Sequence, residues 1–260
     1  MLNKDINIDL LLLPNELISW IGNAPVYESS GHSGAKTVYI DRDGGAYLKI
    51  SDKGSLFKTS QMQEFFSKYG LSSPVIKYIS LDRDYLITEP IKGEDGLSQR
   101  YLSEPFKLSE IFGLSLKFLH ETIVTACPVN DKMSELIFSA ETTPFQQSYL
   151  DDIAEYIGKA SADKAYAEVV SGSELLRRDV IIHGDYCLGN IILNDWDFKG
   201  FIDVADSGIG DKHYDIAWGL WTLRYNLKHS KYGYRFLDAY GRSSIDTDRL
   251  RICGLLAAIE

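Results

Sequence analysis

A chain of 260 residues with 45% hydrophobic and 25% charged residues has an ordinary globular composition, long enough for one large domain or two lobes. Its formal net charge of −10 argues against a nucleic-acid partner, which needs a basic surface; it suits a cationic small molecule, or solubility alone. Three widely spaced cysteines (Cys127, Cys187, Cys253) without C-x-x-C spacing argue against a disulfide framework, and the early apolar run Ile8 to Pro14 is broken by Asp9 and too short for a bilayer, so a cytoplasmic protein without membrane contact is expected.

The N-terminus lacks a secretion-signal pattern. Residues 15–22 read as a short helix closed by Gly22. A run of small polar residues, Ser29 to Lys36, leads into a strand at Thr37–Ile40, turn chemistry at Asp41–Gly45 and a second strand at Ala46–Ile50, together a hairpin. Residues 56–69 carry Leu56, Phe57, Met62, Phe65 and Phe66 at helical spacing. Strands follow at 75–79 and 85–88 around a turn at Asp82–Asp84. Beyond Gly93 a long helix is expected over 107–121 and mixed helical patterns over 145–170; strands return at 180–182, 191–193 and 200–204, and helix dominates from Tyr214. The pattern predicts an α+β chain: a β-rich lobe at 1–87, a hinge at 88–93 and a helix-rich lobe at 94–260, with a cleft between lobes.

The richest chemistry lies between Val180 and Asp203. Two apolar runs flank a polar loop that carries Asp185 and, five residues on, Asn190; Asp203 follows 13 residues later, after another apolar run. Phosphoryl-transfer sites use such a set: one aspartate faces the attacking hydroxyl, and an asparagine and a second aspartate hold magnesium. Asp185 would accept and orient the hydroxyl proton; Asn190 and Asp203 offer the hard oxygen donors magnesium takes beside phosphate and water. His183 is read as a brace for the loop through both ring nitrogens, and Cys187 as packing. Asp211 and Asp215, four apart, are read as structural groups supporting the loop from behind, with Asp215 near a helix start. Lys49, between Leu48 and Ile50 on a half-buried strand, needs an anion, and nucleotide phosphates would serve; the alternative is a surface lysine on an edge strand. The small residues from Gly31 to Lys36 allow backbone amides near phosphates but are not a Walker-type loop.

These residues together resemble the aminoglycoside phosphotransferase family, most closely its 3′-phosphotransferase branch. The resemblance is carried by His183-Gly184-Asp185 through Asn190, by Phe201-Ile202-Asp203, and by Gly208 to Ala217, with weaker support from Tyr47-Leu48-Lys49, Leu119-His120 and Ala126-Cys127-Pro128. It implies a bilobal protein-kinase-like fold and a magnesium-dependent transfer of the γ-phosphate of ATP or GTP to a hydroxyl of a cationic aminoglycoside. By it, Asp185 is the catalytic aspartate, Asn190 and Asp203 the magnesium ligands, and Lys49 the lysine on the nucleotide phosphates. Ser33 lies in the loop over those phosphates, and Thr88, Glu89 and Ile91 form the adenine hinge, where Pro90 has no amide hydrogen.

The chain departs from the family pattern in places. The stretch Lys58 to Met62 lacks the acid that normally pairs with the strand lysine, and Glu64 lies one turn beyond. The usual Asp-x-Gly is Asp203-Val204-Ala205, which requires a negative φ at Ala205. Acids expected around the acceptor are sparse: Asp151, Asp152 and Glu155 either line one wall or form a solvated helix face, Tyr225 and Trp221 either stack on a sugar or pack, and Glu260 ends the chain. Two alternatives therefore stand beside the aminoglycoside kinase: a kinase of another small hydroxylated metabolite, and a non-catalytic nucleotide-binding module. A monomer or weak dimer is expected.

Overall fold

The computed structural model describes residues 2–5, 13–29 and 35–259. The chain divides into two compact units, Met1–Ile91 and Lys92–Glu260.

In the first unit six strands form one antiparallel sheet: β1 (Leu2–Asp5), β2 (Val26–Ser29), β3 (Lys36–Ile40), β4 (Ala46–Asp52), β5 (Val75–Ser80) and β6 (Arg83–Thr88), in the order β1-β2-β3-β4-β6-β5. Two helices accompany it, α1 (Asn15–Ile21), which stops at Gly22 with φ of 59°, and α2 (Phe57–Lys68). Side chains alternate across β4: Ala46, Leu48 and Ile50 are buried, whereas Tyr47 and Lys49 are half-buried on the other face. The buried set joins Leu17 and Ile21 of α1, Val38 and Ile40 of β3, and Tyr85 and Ile87 of β6 in one core. Each buried Leu or Ile contributes about 1.5–3 kcal/mol. A slip of one residue would send Lys49 into that core, so the core fixes the face Lys49 occupies.

The turn expected at Asp82–Asp84 is shorter, because β6 begins at Arg83 and Asp84 already pairs with Ser51 and Ser80. Asp84 is fully buried and accepts from the Leu56 amide and the Tyr78 hydroxyl at 2.9 Å and from the Ser80 hydroxyl at 2.7 Å. Burial pushes its carboxyl up, but hydrogen bonds from Ser80, Gly54, Leu56 and Tyr78 prevail and hold it below the usual carboxylate range. It thereby ties the start of α2 to the sheet.

The second unit is mainly helical: α3 (Gln99–Leu102), α4 (Pro105–Glu121), α5 (Lys132–Ser139), α6 (Gln147–Ile157), α7 (Ala162–Gly172), α8 (Lys212–Leu227), α9 (Lys231–Tyr240) and α10 (Thr247–Leu256). The helix expected from 107 starts at Pro105, since proline is at ease in a first turn. On α4, Gly113 lets α9 approach: a Cβ there would lie 2.5 Å from the Phe236 carbonyl oxygen. Two small sheets complete the unit, β10 (Asp197–Phe201), β9 (Ile191–Asn194) and β7 (Glu94–Asp95) in that order, and β11 (Gly208–Gly210) beside β8 (Val180–Ile182). The strand expected at 200–204 thus runs 197–201. Asp195 and Trp196, with φ of 50° and 72°, make a tight hairpin turn that begins β10 early, and residues 204–206 coil into a 3₁₀ turn. No helix among the described residues is long and apolar enough to cross a membrane.

Candidate active site

The loop after β8 is held by buried partners at most of its backbone groups. Asp215, wholly buried in the first turn of α8, accepts from the amides of His183 at 2.7 Å and Gly184 at 2.9 Å. The same carboxylate meets His120 Nε2 at 3.1 Å, and His120 Nδ1 lies 2.9 Å from the Tyr240 hydroxyl. The His183 carbonyl accepts from the Ser207 hydroxyl at 2.8 Å, and Thr222 Oγ1 accepts from the Leu188 amide at 3.3 Å. Tyr186, between these ends, is buried, stacked on Phe112 at 4.3 Å, and donates its hydroxyl to the Phe112 carbonyl at 2.7 Å. Buried backbone groups need such partners, and here the partners also fix the loop's shape.

Gly184 is the residue the loop cannot exchange. Its φ is 85°, and a Cβ would sit 2.0 Å from the Asp206 carbonyl oxygen. His183 braces the loop through both ring nitrogens, one of them on the strand end beside Asp203. Its Nδ1 accepts from the Asp185 amide at 3.3 Å, so the ring proton sits on Nε2, 3.0 Å from the Ile202 carbonyl.

Asp185 and Asn190 are brought into direct contact. A 3₁₀ turn over 188–190 folds Asn190 back, and its Nδ2 donates to Asp185 Oδ2 at 2.7 Å and to the Asp185 carbonyl at 2.9 Å. That orientation turns Oδ1, the amide's acceptor, away from Asp185. The Asn190 carbonyl accepts from the Ile202 amide at 3.0 Å, so Ile202 is held from both sides and Asp203 follows it directly. Asp203 has a left-handed backbone, φ 55°, whereas Ala205 does not, which is why alanine is accommodated in Asp203-Val204-Ala205. Burial pushes the Asp185 carboxyl above its ordinary range; the His183 ring and Asn190 amide draw it down, and Asp206 and Asp203 push it up again. Burial, then Asp185, also pushes the Cys187 thiol far up, which disqualifies it as a nucleophile.

The Asn190 amide oxygen and the Asp203 carboxylate are each hard oxygen donors. Among the described residues no three His, Cys, Asp or Glu side chains group into a metal cage. An amide oxygen and a carboxylate fit magnesium, which fills its remaining positions with phosphate oxygens and water.

The remaining supports lie at the N-terminus of α8. Asp211 caps that helix, accepting from the His213 amide at 3.0 Å. Asp211 also accepts from the Arg177 amide and from Arg249 Nε, both at 2.8 Å, and lies 2.7 Å from His213 Nδ1.

In the first unit Lys49 and Tyr47 share a face of β4, and Thr88 pairs with Tyr47 across β6. The Glu89 amide is used on the Pro74 carbonyl at 3.0 Å, and Ile91 is half-buried. Glu64 is exposed on α2, whereas Thr59, Ser60, Met62 and Gln63 are buried. Gln63 spends its amide on Ser72 and Ser73. Ser33 and Glu260 lie outside the described residues.

The acceptor candidates are less concentrated. Asp151, Asp152 and Glu155 follow one another on α6; Asp151 accepts from Gln147 at 2.9 Å. Tyr225 is exposed, stacked on Trp221 at 5.2 Å, with Lys228 Nζ 4.5 Å from its ring centre, and Trp221 stacks in turn on Tyr149 at 5.4 Å. Sequence reasoning missed Thr222, Ser207 and Asp206 and gave Tyr47 no role of its own. The alternation of β4 could have flagged Tyr47; Asp206, three residues after Asp203, is visible only as a loop acid until the 3₁₀ turn brings it against Gly184.

The profile of the phosphotransferase enzyme family matches residues 29–253. A probable aminoglycoside 3′-phosphotransferase of Lactococcus lactis is 38% identical over 253 residues, 96% of each chain. Among solved structures, the aminoglycoside phosphotransferase APH(3″)-Id of Streptomyces rimosus superposes with a TM-score of 0.71 at 21% identity, covering 96% of this chain and 97% of the other. Its complex with ADP and streptomycin gives 0.66 at 20% identity, with the same coverage. These likenesses show a protein-kinase-like fold.

Proposed function

From the premise that the chain belongs to the aminoglycoside phosphotransferase family, and is therefore a kinase-type enzyme, we propose that it moves the γ-phosphoryl group of ATP or GTP to a hydroxyl of an aminoglycoside. The observation that carries this reading is the Asn190–Asp185 contact at 2.7 Å, on a loop whose two preceding amides are tied to Asp215.

Asp185 receives the hydroxyl proton while the hydroxyl oxygen bonds to the γ-phosphorus; the bond from that phosphorus to the bridging oxygen breaks, and nucleoside diphosphate leaves. The transition state is loose, so the orientation of the hydroxyl contributes more than the basicity of the carboxylate. Asn190 Oδ1 and Asp203 would hold magnesium, which supplies charge neutralisation on the triphosphate oxygens. Lys49 would bind the donor's phosphates, the Tyr47 ring beside it would lie on the base, and Thr88, Glu89 and Ile91 would border that base. Asp151, Asp152, Glu155 and Glu260 would face the acceptor's amines; Tyr225 has a packed and cation-capped ring, which favours a structural role.

Phosphorylation adds up to about −2 charge to a cation-rich acceptor and so weakens its recognition elsewhere. The test is mass spectrometry of an aminoglycoside panel incubated with the protein, magnesium and either ATP or GTP. A single phosphate added to at least one member is expected. Nucleotide turnover only with other hydroxylated metabolites would reassign the acceptor; nucleotide binding without transfer would make the chain a non-catalytic module.

A further inference from the structure

The acids foreseen around the acceptor are few, yet one unforeseen carboxylate lies against the catalytic loop. Asp206 packs on Gly184: a Cβ on that glycine would be 2.0 Å from the Asp206 carbonyl oxygen and 3.1 Å from the Asp206 Cβ. Gly184 immediately precedes Asp185. The Asp206 side chain is nevertheless 63% exposed. Its Oδ1 is held by Lys132 Nζ at 3.2 Å, and Lys132 is itself almost wholly buried, with Glu135 as a further partner at 3.5 Å.

A buried ammonium is a costly group that keeps its partner in place. It fixes Asp206 through one oxygen, while a carboxylate has two oxygens and about four acceptor positions. We propose that Asp206 is a specificity-determining residue, its second oxygen binding an ammonium group of the acceptor close to the hydroxyl that Asp185 orients. Lys132 is a positioning residue acting through Asp206. This assignment rests on the phosphotransferase reading above. It names the acceptor class further: a molecule with an amine within a few bonds of the phosphorylated hydroxyl.

The test uses the full chain and two acceptors, an aminoglycoside that the wild type phosphorylates and its N-acetylated counterpart lacking the neighbouring charge. Asp206→Asn should raise KM for the cationic acceptor about tenfold or more, as expected for a lost charge-assisted hydrogen bond, with nucleotide KM unchanged and the acetylated acceptor little affected. Because Asp206→Asn also strands the Lys132 ammonium, the double variant Lys132→Met/Asp206→Asn is measured beside it. The double variant should regain thermal stability while keeping the high acceptor KM. Equal losses for both acceptors, or a double variant that regains the low KM along with stability, would make the pair merely structural and overturn the proposal. A wild type inert toward every acceptor would overturn the phosphotransferase reading and this one with it; wild-type turnover matched by Asp206→Asn would overturn this one alone.

Discussion

The side-chain amide of Asn190 donates to Oδ2 of Asp185 at 2.7 Å and to the Asp185 carbonyl at 2.9 Å. One side chain thus orients the candidate base and leaves its oxygen for the magnesium proposed there. Asn190→Ala removes both effects. Its kcat should fall by about two orders of magnitude or more, and the magnesium concentration for half-maximal rate should rise. A metal titration of the steady-state rate measures both.

Gly184→Ala places a methyl group 2.0 Å from the Asp206 carbonyl oxygen at a φ of 85°. Neither backbone can yield without moving Asp185. Activity should drop about a hundredfold or more, whereas Gly189→Ala, whose Cβ would meet only Leu97 at 3.4 Å, should stay within a few-fold of wild type. Parallel kinetics of the two variants check the contrast.

Asp215→Ala leaves the His183 and Gly184 amides buried without their acceptor. Each stranded donor costs about 1–3 kcal/mol, so the unfolding free energy should fall by about 3 kcal/mol or more. Urea denaturation at neutral pH, with unchanged slope, reads this out.

Acid stability should depend on Asp211. Burial pushes its carboxyl up, but His213, Arg249 and the Arg177 and His213 amides outweigh burial and hold it far below the usual range. A depressed folded-state value contributes stability that is complete above the unfolded value of about 3.9 and is lost as pH falls from there toward the lowered one. The stability gap between wild type and Asp211→Asn should therefore be widest near pH 7 and shrink below about pH 4. Denaturant midpoints across that range measure it.

Much of this was legible in the sequence. The strand-turn-strand spacing gave the Ala46–Ile50 strand, and the spacing of Asp185, Asn190 and Asp203 marked the loop because its flanks are apolar runs that must be buried. The misreadings share one cause. Asp84 looked like turn chemistry yet is a buried acceptor, and Asp206, which drew no reading, abuts Gly184. Each owes its role to partners far away in sequence, Leu56 for one and Lys132 for the other, and local composition carries no trace of such contacts. Asp215 lies in the first turn of α8 as expected, its carboxylate taken by the loop after β8, while Asp211 caps the helix.

The most direct measurement compares wild type with Asp185→Asn in phosphate transfer from ATP or GTP to the preferred aminoglycoside, with nucleotide affinity and melting temperature recorded on the same preparations. Burial already penalises the Asp185 charge, so the variant should stay folded and bind nucleotide as before. Its kcat should fall by about two to four orders of magnitude. A folded Asp185→Asn protein that transfers phosphate within a few-fold of the wild-type rate would contradict the role assigned to this carboxylate.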